Sequence, residues 1–189
     1  MNDTRPSIVA SVKQDIVAAV KGTGDIAKAV VDTVAGTIST VLKDTARVGV
    51  AGTDAITHVT GGVIHGATEV GGDLGAAARG AVIGILRGTK ATGSEAVATI
   101  THTASSVIRH TAEVGGDLGA AATGLVEGAI HSARDAGLTG EEAASAAGTG
   151  AFEAASKLGT SAGNAVRGAF TGTISGVKVV LKEPSRATP

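Results

Sequence analysis

The chain has 189 residues, a net charge of −1 and only two aromatic side chains, both Phe, with Gly at 29 positions and no Cys. Nucleic acid is excluded as a ligand class, because there is no basic face to release counterions and no aromatic platform to stack bases. Thiol catalysis, disulfides and Cys-ligated clusters are excluded with the cysteines, and a surface with 17% charged residues offers little resistance to self-association.

In chain order, the opening Met1–Ser7 lacks a cationic start followed by an apolar run, so no signal peptide is predicted. Lys21-Gly-Thr-Gly24 lacks the Gly-Lys-Ser/Thr ending of a phosphate loop. No run of about 18 uncharged apolar residues occurs. The nearest approach, Val48 to His65, is interrupted by Asp54 and His58.

The strongest signal is internal repetition. Glu69-Val-Gly-Gly-Asp-Leu-Gly-Ala-Ala-Ala78 returns as Glu113-Val-Gly-Gly-Asp-Leu-Gly-Ala-Ala-Ala122, an offset of 44. Gly36, Gly80, Gly124 and Gly168 keep that spacing, as do Thr40, Gly84, Gly128 and Gly172. Four units of about 44 residues account for nearly the whole chain, with the outer copies most diverged. The apolar ridge Leu74, Ala78, Val82, Ile85 and the ridge Val97, Ile100, Ala104, Val107 step by three and four. Those steps predict helix rather than strand. The expected fold class is therefore all-α, an elongated repeat-built helical array assembling as an oligomeric bundle or tube.

Helix boundaries repeat too. Gly71-Gly72-Asp73 and Gly115-Gly116-Asp117 read as a glycine stop followed by an Asp N-cap, while Thr92-Gly-Ser-Glu95 and Thr139-Gly-Glu-Glu142 read as capping boxes. The alternative, a long helix running through Gly-Gly, stays open. Gly80/Gly84, Gly124/Gly128 and Gly168/Gly172/Gly176 are GxxxG steps. Glycine in a helix costs about 1 kcal/mol relative to Ala, so its recurrence at one register position points to close helix packing, within the chain or between chains.

Candidate chemistry is sparse. Gly159-Thr-Ser161-Ala-Gly163 matches G-x-S-x-G, but all five histidines precede Ser161 and the context is helical. His58 and His65 could share a helix face, with Asp54 one turn from the first and Glu69 one turn from the second. Polar punctuation of an apolar face is the leading reading of the histidines, and metal ligation or a proton relay the other. Glu69 with Asp73, and Glu113 with Asp117, suit N-capping better than acid–base pairing. No catalytic residue and no metal ligand is assigned.

Two resemblances follow. The uncharged texture of Ala55-Ile-Thr-His-Val-Thr-Gly-Gly-Val-Ile-His65 is similar to the 11-residue repeats of synuclein-like and perilipin-like lipid binders, but the Lys-lined rim of those proteins is missing. This leaves an amphipathic lipid-surface coat as the alternative function. In size, small-residue helices and division of the chain, the sequence resembles the scaffold and membrane-stalk subunit of a mycobacterial-type high-affinity uptake nickel–iron hydrogenase. On that likeness residues 1–90 are the less charged, tube-forming or membrane-associating part. Residues 91–189 are a scaffold with Thr171 to Pro184 as docking tail. The resemblance implies a non-catalytic, self-associating scaffold in the cytoplasm, peripheral to the membrane. It implies the large and small hydrogenase subunits as partners. It also implies menaquinone in an apolar cavity lined by the front half, from Val48 to Leu86.

Overall fold

In a computed structural model of the protein, residues 7–23, 25–45, 51–91 and 93–181 are described. They form α1 (Ile8–Thr23), α2 (Ile26–Thr45), α3 (Ala51–Glu69), α4 (Leu74–Thr89), α5 (Gly93–Glu113), α6 (Leu118–Ser132), α7 (Gly140–Leu158) and α8 (Thr160–Ala169). A two-stranded antiparallel hairpin follows, β1 (Thr173–Ile174) and β2 (Val177–Lys178). The fold is all-α. Thr92, Gly24, Met1–Pro6 and the last three residues of the Thr171–Pro184 tail lie outside the described residues.

Hairpins, not continuous helices, are what Gly71-Gly72 and Gly115-Gly116 make. Gly71 and Gly115 take left-handed φ angles of 65° and 68°, a region that costs a residue with a Cβ. Around each, two amides turn back onto the last helical carbonyls. Gly72 N donates to Ala67 O at 2.8 Å and Gly71 N to Thr68 O at 3.0 Å; Gly116 and Gly115 do the same to Thr111 and Ala112. This is the Schellman stop. Gly137, at φ 68°, ends the turn after α6 in the same way. The next helices start on side-chain caps. Asp73 Oδ1 accepts from Gly75 N at 2.7 Å, and Asp117 Oδ1 from Ala120 N at 3.0 Å. Thr139 and Glu142 form a reciprocal capping box at the head of α7. The amide and hydroxyl of Thr139 hold the Glu142 carboxyl below its ordinary pKa.

The helices lie in two rows. α1, α3, α5 and α7 follow one another in the first, and α2, α4 and α6 in the second, so each helix packs on the one two places along as well as on its hairpin partner. One apolar core runs from Val12 to Val179, across residue 90. Its largest fully buried side chains are Ile and Val with one Leu, among them Ile16, Ile38, Ile85, Ile100 and Leu125. Each such side chain contributes roughly 1.5–3 kcal/mol. Helices of this composition are marginal alone, and the rows bring their apolar ridges together.

The end of the chain departs from expectation. Gly168 lies exposed in the last turn of α8 with no atom near its missing Cβ. Gly172 (φ 98°) lies in a bend just before β1, and Gly176 (φ 80°) in the turn between β1 and β2. The third GxxxG ladder is therefore not a helical seam. Ser175, with φ 49°, and Gly176 are the two left-handed residues of the tight turn, the geometry that matches strand twist. Nor is the segment from Thr171 a free docking tail as far as Leu181. It folds back on α7, where Ser145 Oγ donates to Val180 O at 2.7 Å and Val179 is buried.

Candidate functional site

The small-residue seams are internal to the chain. A Cβ on Gly80 would stand 2.8 Å from Ala27 O and from Val30 Cβ, and one on Gly84 2.8 Å from Val34 Cβ. Gly88 meets Ile38 in the same way. These glycines of α4 receive the Val and Ile ridge of α2. Two turns of α6 repeat the arrangement more tightly. Gly124 lies directly on the backbone of Gly75, and a Cβ on Gly128 would come 2.6 Å from Arg79 O. Backbones approach this closely only where no side chain intervenes.

The other row uses a different register position. In α3, Gly62 faces Val12 and Gly66 faces Ile16 on α1. In α7, Gly150 lies on the backbone of Thr101 of α5, and Ser105 Oγ donates to Gly150 O at 3.0 Å. Gly62 and Gly150 stand 88 apart, and midway between them is Ser106; 44 beyond Gly66 is His110. The seam between α3 and α5 thus carries a hydroxyl and an imidazole where its neighbour carries two glycines.

That seam is a connected polar site. His102 Nε2 is 3.1 Å from Thr57 Oγ1 and 3.1 Å from Thr53 O. The Thr53 carbonyl can only accept, so His102 carries its proton on Nε2. Thr57 Oγ1 donates to Thr53 O at 3.0 Å, and Ser106 Oγ lies 3.5 Å from it. His110 Nε2 is 3.2 Å from Thr57 O, and its Nδ1 is 2.9 Å from Glu113 Oε2. The His65 ring comes in from α3, 6.4 Å from His110 between centroids. Donor atoms of His65, His110 and Glu113 all lie within 4.8 Å of one another.

His65, His110 and Glu113 thus form a set of donors that the sequence reading did not bring together. Sequence spacing paired His65 with Glu69 along one helix. Glu69 instead bonds Lys13 of α1 at 2.6 Å, and the lysine's hydrogen bond and charge hold its carboxyl below the ordinary range. His58 and His131 are exposed. The local signal that was available is the His110–Glu113 spacing of three, but His65 joins only through the stacking of α3 on α5. Asp73 and Asp117 are N-caps, and Ser161 of the G-x-S-x-G segment is exposed in the first turn of α8, between two helices. No protein-family model, curated protein or solved structure matches this chain.

Proposed function

We propose that the chain is a non-catalytic helical scaffold that self-associates through the open end of its helix rows. The observation that carries this reading is the difference between the two ends. At the far end Val179 and Leu181 lie over Gly148 of α7. At the near end, Gly22 of α1 and Gly36 of α2 meet nothing within 4 Å among the described residues, beside the half-exposed Thr33 and Thr37. Gly36 and Thr40 are the register equivalents of Gly80 and Gly84, which seat a helix inside the chain. A second copy presenting the same face is the occupant that fits, since helices of this kind already pack in that register.

Partner subunits of a redox complex, a peripheral membrane link and a sheltered quinone belong to the same proposal, on the resemblance to the hydrogenase stalk. Among the described residues no helix is long and apolar enough to cross a membrane. Two clefts of the single chain, about 260 and about 380 Å³, are edged by Arg87, Lys90 and Asp135 and by Glu141 and Glu142. An apolar quinone fits these poorly, and a cavity for it would form between copies. The lipid-coat reading needs an exposed apolar face, whereas Leu158 and Val180 are the exposed large hydrophobics among the described residues.

The test is native mass by light scattering for the wild type and for Gly36→Leu, at a position where nothing among the described residues lies within 4 Å of the added Cβ. The scaffold reading expects a multimer that falls to monomer in the variant. A wild type that is monomeric at all accessible concentrations, or that gains order only on adding vesicles, overturns it.

A further inference from the structure

At His110 the two ring nitrogens face different partners. Its Nε2 faces the carbonyl of Thr57, which only accepts, so Nε2 carries a hydrogen. In the neutral ring Nδ1 then presents a lone pair, and 2.9 Å away stands a carboxylate oxygen of Glu113, also a lone pair. Lone pairs converging from two side chains are the arrangement that a cation gathers. We propose that a divalent transition-metal ion is held by Nδ1 of His110, the carboxylate of Glu113 and the imidazole of His65.

Three further observations favour a metal. First, a third donor is present: the His65 imidazole completes a set within 4.8 Å that one ion can gather. Metal–ligand bonds of about 2.0–2.2 Å place neighbouring donors on the order of 3.4 Å apart in a tetrahedron, reached here by small side-chain rotations. Second, the hydrogen bond from Nε2 to a backbone carbonyl is the usual outer partner of a metal-bound imidazole, fixing which nitrogen faces the ion. Third, the ring is held in place: His110 is 17% exposed, while Glu113, at 59%, opens one side of the site to water. Two imidazoles and one carboxylate with no thiolate suit zinc or cobalt rather than the all-oxygen preference of calcium and magnesium. An ion here would join α3 to α5 at the seam whose α5 side carries Ser106 and His110 at the register positions of Gly62 and Gly66.

Isothermal titration of the full, tag-free chain with zinc tests this, with cobalt as a coloured probe of coordination. The proposal expects one ion per chain. It expects binding to be lost in His65→Gln and His110→Gln, weakened about tenfold or more in Glu113→Gln, and unchanged in His58→Gln and His131→Gln. Should His110→Gln fail to fold, the half-exposed His65 and the exposed Glu113 carry the test. No binding by the wild type overturns the proposal. Binding that survives His65→Gln, or that falls equally in His131→Gln, overturns it as well.

Discussion

The seam between α1 and α3 and the seam between α3 and α5 stand at the same place in the 44-residue register, and they are built from opposite materials. In the first, Gly62 and Gly66 bring two backbones together over Val12 and Ile16. In the second, Ser106 and His110 meet the hydroxyl and carbonyl of Thr57 across the two helices, and Glu113 of α5 backs the His110 ring. The repeat decides where helices meet, and the side chain at the meeting point decides whether the seam is only packing or also a site. A departure from the repeat is thus more informative about chemistry here than the repeat itself.

The comparison breaks most sharply where a glycine seam is given a side chain. Gly124→Ala pushes a methyl into the Gly75 backbone, which cannot step aside as a side-chain tip could. Overpacking of this kind costs typically 1–3 kcal/mol, and about 3 kcal/mol is expected here in urea unfolding. Next comes conversion of the polar seam into its neighbour. Ser106→Gly with His110→Gly restores the glycines of α3 but removes the hydrogen bond to Thr57 and puts two glycines inside α5. A loss of about 2–3 kcal/mol is expected from helix propensity and the unmade bonds together. A gain of stability would mean that the polar seam is a tolerated defect.

A cap outside both seams calibrates these effects. Thr139→Ala should cost about 1 kcal/mol, as N-cap truncations do. Its partner Glu142 has a lowered carboxyl pKa, because the folded chain favours the charged form. The stability it contributes is therefore present above the carboxyl's unfolded pKa and lost as pH falls through the folded one. Glu142→Gln should flatten that acid-side decline in a series of urea titrations. The smallest effect on the single chain belongs to Gly36→Ala, where nothing lies within 4 Å of the added methyl. Replacing a mid-helix glycine there should leave stability unchanged or raise it by up to about 1 kcal/mol.

Much of the helical plan was legible because it is written locally. Steps of three and four mark the apolar ridges, and the Asp73, Asp117 and Thr139 caps are readable from adjacent residues. Hairpin or long helix was not decidable, since Gly-Gly permits a left-handed φ without requiring it; the Schellman amides at Gly71 and Gly115 settle it. Gly168 and Gly172 kept the spacing of a seam but not the structure, because α8 ends at Ala169 and nothing among the described residues lies within 4 Å of a Cβ added at either. The histidine site was illegible for a different reason. His65 and His110 are on different helices, and their meeting depends on α3 stacking against α5, which spacing along one helix does not reveal. Glu69, the sequence neighbour that looked like a partner for His65, is drawn to Lys13 by the same stacking.

The most direct test is a paired one, urea unfolding of Gly36→Ala and Gly124→Ala in dilute solution. The two glycines share a register position, 88 residues apart, and differ in whether a neighbouring backbone covers them. Neutral or mildly stabilising behaviour at Gly36 with a large loss at Gly124 is the predicted result. Equal effects at both would contradict the account, since the glycines would then be a habit of the sequence and not the seats of packed helices.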